Sequence, residues 1–218
     1  MKRLLILLAL PLALGLGCAR YPSTPQVLQP RQRLILQMTV QGRINAAYYY
    51  FFAIDSDGNP SDGPVPLVMT PSTPMPASGV PLIISDTDVP PADYVVFHNG
   101  AFQHYRNGVF VGPPFAYTSP APDSQVLTIT LDRTTLANPS ALALDINFIN
   151  SERLIPPDDP LALLDYDGLG PRGDEYVSVP TTANATFDND QAAIPEEASD
   201  TPVADLDIVD WRIEIRNE

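Results

Sequence analysis

The sequence predicts an all-β protein, an antiparallel β-sandwich of jelly-roll or immunoglobulin-like type with long proline-rich and acidic loops. Three observations favour this fold class. Short apolar runs alternate with polar residues at the period of two that is typical of strands. Turn-forming residues, among them 25 prolines and 12 glycines, separate these runs. Beyond the N-terminal segment, no stretch of helical length shows a helical period.

The N-terminal segment has the pattern of an export signal. A basic start precedes an apolar run over residues 4–16, shorter than the roughly 20 residues that cross a bilayer. The run ends in Leu16, Gly17 and Cys18, which resemble the lipobox of bacterial lipoproteins. The resemblance implies that residues 1–17 are removed and that Cys18 carries lipid, such as palmitate. The protein would then be exported and anchored at the cell membrane, the outer membrane or the cell surface.

The alternative for Cys18 is an ordinary signal peptide with an incidental cysteine. Cys18 is the only cysteine of the chain, so it has no partner for an intramolecular disulfide. An exported protein with one free thiol would be unusual, and lipidation accounts for it.

The chain is strongly acidic. Its formal net charge is −14, and loss of Lys2 and Arg3 with the signal makes it −16. Most of this charge lies from Asp145 onward, where eighteen acidic residues face four arginines. Such a surface repels nucleic acid and anionic headgroups, and it would attract cations or a basic partner.

The residues after the signal predict a tether and one domain. Residues 18–32 contain three prolines and no apolar period, which predicts a flexible proline-rich spacer. Residues 33–218 are predicted to form a single β-sandwich domain.

The first predicted strands differ in how they are covered. In Arg33–Val40, every second residue is apolar, as in a strand with one buried face. Ile44–Ile54 contains five consecutive aromatics, residues 48–52, which predicts a central strand covered on both faces. Residues 60–91 are rich in proline, which predicts long loops with edge strands.

The clearest local signal lies between Tyr94 and Val111. Asn99-Gly100 and Asn107-Gly108 each separate apolar segments, as in two-residue type I′ turns, so a three-stranded meander is predicted. The later predicted strands are Val126–Leu131, Leu142–Ile149, Tyr176–Val179 and Leu206–Ile215. In the last run the alternation changes phase near Val209 and Asp210, which predicts a β-bulge.

An acidic loop after the aromatic strand is the first candidate metal site. Asp55, Asp57 and Asn59 match the first ligands of a calcium loop, with Asp62 as a fourth ligand. Pro60 stands where an EF-hand needs glycine, so an EF-hand is excluded. The same residues also form Asx turns that bond their own backbone, and this alternative stays open.

A second acidic segment contains Asp165 and Asp167. Carboxylates lie close together in the sequence here, and a bound calcium ion would relieve their repulsion. An acidic surface loop without an ion is the alternative.

Histidines and aromatics are weaker candidates. A two-residue turn at 99–100 places His98 and His104 on opposite faces of the sheet, so a shared metal site is not expected. Exposed aromatics could stack on sugar rings, but Trp211 alternates in phase with Ile213 and Ile215, which favours core packing. The other aromatic candidates are Tyr94, Tyr105, Tyr117, Tyr166 and Tyr176.

The order of short segments in the mature sequence is faintly similar to that of the DOMON and family 9 carbohydrate-binding β-sandwiches. The similar features are Asp-Gly turns, the run at 144–149, and an acidic segment before the closing strand. This resemblance implies an extracytoplasmic binding module and transfers no ligand residue.

The sequence is compatible with three classes of function. The first is a lipid-anchored binding module of the cell envelope, with a glycan as one candidate ligand and with calcium stabilising its loops. The second is a structural or assembly lipoprotein that docks a partner through its acidic C-terminal third. The third is a hydrolase with paired carboxylates, although the chain contains no recognisable catalytic motif and no catalytic residue is assigned.

Overall fold

The computed structural model describes residues 31–66, 83–85, 92–152, 166–190 and 194–218. The predictions for Cys18, for most of the spacer and for Asp165 lie outside the described residues. The predicted fold class is confirmed, because two antiparallel sheets pack against each other. No helix among the described residues is long and apolar enough to cross a membrane.

Fourteen strands are described, together with one 3-10 turn at Arg133–Thr135. In chain order the strands are β1 (Gln32–Val40), β2 (Tyr49–Asp55), β3 (Pro64–Pro66), β4 (Ile83–Ser85), β5 (Asp93–His98), β6 (Ala101–Arg106), β7 (Val109–Gly112), β8 (Ala116–Thr118), β9 (Val126–Asp132), β10 (Ala143–Ser151), β11 (Tyr166–Gly168), β12 (Val177–Pro180), β13 (Ala185–Asp188) and β14 (Ile208–Asn217).

The strands form two large sheets and a ribbon. The five-stranded sheet has the order β13-β14-β1-β9-β8. The seven-stranded sheet has the order β11-β10-β2-β5-β6-β7, and β12 also pairs with β10. Strands β3 and β4 pair only with each other. At one side of the sandwich, β7 and β8 are the edge strands of the two sheets.

The main core lies between the two large sheets. The predicted alternation of β1 is confirmed, since Leu34, Leu36, Met38 and Val40 are all buried in this core. Trp211 on β14 is also fully buried, with its ring centroid 6.2 Å from that of Phe148. The prediction that Trp211 packs in the core is therefore confirmed.

A second apolar cluster covers the outer face of the seven-stranded sheet. Tyr50 and Phe52 of β2 point into the main core, whereas Phe51 joins Tyr94 and Ile149 in this outer cluster. Strand β3 lies on the same face, where the Asn147 side-chain amide donates to the Pro64 carbonyl at 2.9 Å. The prediction of an aromatic strand buried on both faces is confirmed.

The turn and bulge predictions are confirmed as well. Strands β5, β6 and β7 form the meander, and Asn99, Gly100, Asn107 and Gly108 have φ values of 50°, 76°, 48° and 73°. In the β1–β14 ladder, Thr39 lies opposite Asp210 and Val40 lies opposite Ile208. Val209 is thus the extra residue of a β-bulge, which lets Ile208 and Trp211 share the core face.

The sandwich has two ends, which we call proximal and distal. At the proximal end, where β1 begins, the buried Arg133 guanidinium donates to the side-chain oxygen of Gln32 and to the carbonyls of Ala141 and Thr181. The loop after Asp55 lies at this end, because Asp55 pairs with Asp145 at the start of β10.

At the distal end, where β1 stops, the segment before β14 crosses the ends of both sheets. The Tyr50 hydroxyl donates to the Asp205 carbonyl at 3.0 Å, and the Asn150 amide donates to the Leu206 carbonyl at 2.7 Å. The two acidic segments singled out in the sequence therefore lie at opposite ends of the molecule.

Some short elements differ from the predictions. Strands β8, β11 and β13 were not expected, because they have only three or four residues and lie between prolines, glycines or polar residues. Gln32, assigned above to the spacer, is the first residue of β1. Such short strands form because they pair with a longer neighbouring strand, and their own sequence carries no strand pattern.

Candidate metal centre

In the predicted site at Asp55–Asp62, the side-chain oxygens accept hydrogen bonds from backbone amides of the same loop. The Asp57 amide donates to Asp55 Oδ1 at 2.9 Å, and the Asn59 amide donates to Asp57 Oδ1 at 2.6 Å. The Ser61 amide in turn approaches Asn59 Oδ1 at 3.4 Å. This is a series of Asx turns, the alternative left open by the sequence.

The carboxylates near this loop do not converge on one point. Asp62 and Asp145 are buried, and each has one oxygen without a hydrogen-bond partner among the described residues. Burial raises the pKa of Asp55 and of Asp145, and for both the charge of Asp57 and Asp62 adds to the effect. Within the described part of the chain, however, the residues of this loop form no group of three convergent acidic ligands.

The second predicted segment contributes one residue to a different group. Asp167 is buried on β11, in a strand and not in a surface loop. Its Oδ1 accepts from the Gly168 amide at 2.8 Å, and its Oδ2 accepts from the Ile208 amide at 2.6 Å. Asp167 thereby joins β11 to the beginning of β14.

Two aspartates from the segment before β14 meet Asp167. One carboxylate oxygen each from Asp167, Asp200 and Asp207 lie within 4.8 Å of one another. Asp207 is fully buried, and its Oδ2 accepts from the amide of Ser199, a residue with a φ of 76°. This positive φ marks the tight turn that brings Asp200 back over Asp207.

Several oxygens around this group lack a donor. Asp207 Oδ1 and Glu196 Oε1 are buried and have no hydrogen-bond partner among the described residues. The other Glu196 oxygen accepts from the Gly170 amide at 2.9 Å. The Asn150 side-chain oxygen is also buried and unpartnered, and Asn150 lies directly opposite Asp167 in the β10–β11 ladder.

Burial and neighbouring carboxylates both disfavour the charged form of these carboxyl groups. Burial raises the pKa of Asp167 to about 7, and the charges of Asp200 and Asp207 add to the effect. Burial also raises the pKa of Glu196 to about 9, and Asp167 and Asp200 contribute. The pKa of Asp207 is raised by burial and by Asp200. Among the described residues, no arginine forms a salt bridge with any of these four acids.

The group opens to solvent through a small pocket of about 230 Å³. The lining of this pocket includes Tyr166, Asp167, Arg172, Asp200 and Thr201. Arg172 is exposed and pairs with Asp174 at 3.2 Å, so its charge is already partnered. The pocket therefore gives an ion access from the surface to the carboxylates of Asp167 and Asp200.

This arrangement suits a hard divalent cation. Calcium takes six to eight oxygen ligands at about 2.3–2.6 Å, so two ligands on opposite sides of the ion are roughly 5 Å apart. Three oxygens within 4.8 Å of one another fit that limit. The buried, unpartnered oxygens of Asn150 and Glu196 would be the further protein ligands, and water from the pocket would complete the shell.

Sequence reasoning found only one member of this group. It named Asp167, but its expected companion Asp165 lies outside the described residues. Asp200, Asp207, Glu196 and Asn150 were missed, although the acidic density of the last third was noticed. That density was the available signal, and it could not show which carboxylates meet.

The predicted placement of His98 and His104 on opposite faces of the sheet is confirmed. His104 pairs with Val95 and points between the sheets, where its Nε2 lies 3.0 Å from Asp93 Oδ1. His98 points to the outer face and stacks on Tyr49 at 3.8 Å between ring centroids.

The candidate sugar-stacking aromatics divide into two classes. Trp211 and Tyr94 are buried, which removes them from any surface platform. Tyr105, Tyr166 and Tyr176 are partly exposed, and Tyr117 is exposed at the edge of the sandwich.

The chain matches no protein-family model, no curated protein and no solved structure. The similarity to lipoproteins and to carbohydrate-binding sandwiches therefore stays an expectation from the sequence.

Proposed function

We propose that this chain is a lipid-anchored binding module of the bacterial cell envelope, and that it holds a calcium ion at its distal end. The observation that carries the calcium proposal is the convergence of three carboxylate oxygens, from Asp167, Asp200 and Asp207, within 4.8 Å. The unpartnered oxygen of fully buried Asp207 supports it. A buried carboxylate without a donor is costly unless a cation or a proton neutralises it.

The donor set favours calcium over other metals. All neighbouring ligand atoms are oxygens, and the two histidines lie elsewhere on the sheet. Zinc and copper prefer nitrogen and sulfur ligands, whereas calcium accepts irregular all-oxygen shells. Magnesium requires a near-ideal octahedron, which a site built from a turn and a strand end is less suited to provide.

The ion would stabilise the surface that recognises a ligand. Asp167 belongs to β11, and Asp200 and Asp207 belong to the segment that crosses the distal end. A calcium ion bound by all three would join that segment to the seven-stranded sheet. The ordered segment and the pocket beside it would then face the ligand, for which a glycan remains a candidate.

The proposed lipid anchor would hold the binding module at the cell envelope. The lipobox-like Leu16-Gly17-Cys18 supports export and lipidation at the cell membrane, outer membrane or cell surface. A tether of this kind raises the effective concentration of the module at the envelope.

Thermal unfolding with and without calcium tests the ion site. Wild-type protein is expected to melt several degrees higher in excess calcium than in chelator, because the ion binds only the folded state. Asp207→Asn removes a buried charge with little change in shape, and it should abolish most of this difference.

Asp57→Asn is the matched control at the proximal end. It keeps the Asx turn, since asparagine also accepts the Asn59 amide bond, and it should retain the full calcium effect. Equal loss of the effect in both variants, or no calcium effect in wild type, would overturn the proposal.

The assembly alternative keeps one supporting observation, the concentration of acidic residues from Asp145 onward. It predicts a partner protein whose binding weakens as salt rises, because surface charges are screened over about 8 Å at physiological ionic strength. Co-purification that survives calcium chelation but not high salt would favour this alternative.

A further inference from the structure

Five large apolar side chains are exposed along one lateral side of the sandwich, and we call this surface the aromatic edge. Its members and their exposed fractions are Val109 (64%), Phe110 (54%), Val111 (41%), Phe115 (58%) and Tyr117 (48%). They lie on the edge strands β7 and β8 and on the connection between them. Only two other large apolar side chains of the described residues, Val126 and Leu142, are exposed.

The aromatic edge is uncharged in a highly charged protein. Residues 107–122 contain no acidic or basic side chain, although the chain carries a net charge of −14. Large exposed apolar side chains that are grouped along one side of a protein often mark a site of interaction. This surface also lacks the acids that would repel anionic lipid headgroups.

Contacts with neighbouring side chains hold the exposed rings in place. Phe110 lies 5.6 Å from Tyr105 and Tyr117 lies 5.0 Å from Phe102, measured between ring centroids. The Arg33 guanidinium lies 3.6 Å above the ring of Phe115 and also binds Asp132 at 2.9 Å. The aromatic edge is thus a preformed surface.

The Arg33–Phe115 contact places this surface beside the point where the chain enters the domain. Arg33 is the second residue of β1, and Arg31 bonds to Glu218 just before it. Twelve residues, 19–30, separate Arg31 from Cys18. Even fully extended, they span only about 40 Å, at about 3.5 Å per residue.

We propose that the aromatic edge rests on the lipid bilayer to which Cys18 anchors the protein. The proposal depends on the lipid anchor proposed above. Phenylalanine and tyrosine rings suit the interfacial layer between headgroups and acyl chains. The edge strand β7 must keep its outward backbone groups hydrated, so contact stops at that layer and does not reach the hydrocarbon core.

This contact would orient the molecule. The aromatic edge lies beside β1's first residues, whereas the Asp167 group lies at the distal end near the end of β1. Strand β11, which lines the calcium pocket, is the edge strand opposite β7 in the seven-stranded sheet. With the aromatic edge on lipid, the calcium pocket would therefore face away from the membrane. A ligand from the surrounding medium or a neighbouring envelope layer could then reach it.

Fluorescence quenching by brominated lipid tests this placement in the full, lipidated protein. The chain has one tryptophan, the buried Trp211, so the wild-type protein supplies the background signal. Phe110→Trp adds a probe on the aromatic edge, and Val126→Trp adds one on an exposed residue at the distal end of β9. Both proteins are reconstituted in phosphatidylcholine–phosphatidylglycerol vesicles with plain or brominated acyl chains.

We expect bromine to quench the added emission of Phe110→Trp and to leave that of Val126→Trp near the wild-type background. Equal quenching of both probes, or of neither, in protein that floats with the vesicles would overturn the placement and leave the anchor intact. Protein that carries no acyl group and does not float would overturn the proposed anchor, and the placement with it.

A second copy of the chain is the other occupant that the experiment distinguishes. If two copies paired through β7, Phe110→Trp emission would shift to shorter wavelength with rising protein concentration, without vesicles and without bromine. That result would also overturn contact with lipid.

Discussion

Buried carboxyl groups dominate the chemistry of single residues in this protein. Asp167, Asp207 and Glu196 are shielded from water, yet backbone amides satisfy only part of their hydrogen-bonding capacity. The cost of this arrangement falls when a proton or a cation neutralises the group.

The metal-free protein is expected to lose stability as pH rises. The folded-state pKa of Asp167 is about 7 and that of Glu196 about 9, both above their ordinary values of 3.8 and 4.5. Between the ordinary and the raised value, the folded protein binds more protons than the unfolded chain, so its stability falls as pH increases. We expect the melting temperature in chelator to fall from pH 5 to pH 9.

Calcium and one variant supply the controls for this pH dependence. Excess calcium should flatten the profile, because the ion replaces the protons above pH 7. Glu196→Gln removes the carboxyl group with the highest raised pKa and should flatten the part of the profile between pH 7 and pH 9. A melting temperature that stays constant or rises over this range in metal-free wild type would contradict the account.

Local signals were sufficient to predict most of the longer strands. Strand and turn patterns extend over about ten residues. Three such patterns were present here: the alternation in β1, the five consecutive aromatics at residues 48–52, and the two Asn-Gly turns. The phase change at Val209 was also readable, because a bulge leaves a one-residue shift in an otherwise regular alternation.

The hairpin turn at Asn99-Gly100 gives a test at the level of elements. Gly100 has a φ of 76°, and a Cβ added there would meet no atom within 4 Å. Gly100→Ala should therefore cost about 1 kcal/mol of unfolding free energy through backbone strain alone. Urea unfolding measures this cost.

Asn99→Gly is the matched control for that turn. Asn99 also has a positive φ, at 50°, and glycine adopts this conformation without strain. We expect its unfolding free energy to change by much less than that of Gly100→Ala. Equal destabilisation by both variants would show that side-chain contacts, and not the turn geometry, determine the effect.

The metal group belongs to the whole molecule and could not be predicted from local patterns. Asp167 lies on an edge strand of one sheet, while Asp207 directly precedes β14, the second strand of the other. They meet because the segment before β14 crosses the distal end, and the hydrogen bonds of Asn150 and Tyr50 hold it there. The sequence showed many acids in this third of the chain, but only the fold selects the three that converge.

The same packing also determines which features lie at each end of the sandwich. The aromatic edge and the start of β1 lie together, and the acidic pocket lies at the other end of the strands. The Asp55 loop, the stronger candidate in the sequence, stays at the proximal end and is engaged in its own turns.

A crystal structure determined with calcium present tests the central claim most directly. The account predicts one ion in contact with oxygens of Asp167, Asp200 and Asp207 at about 2.3–2.6 Å. Saturating calcium with no ion at this position, or with an ion only in the Asp55–Asp62 loop, would contradict it.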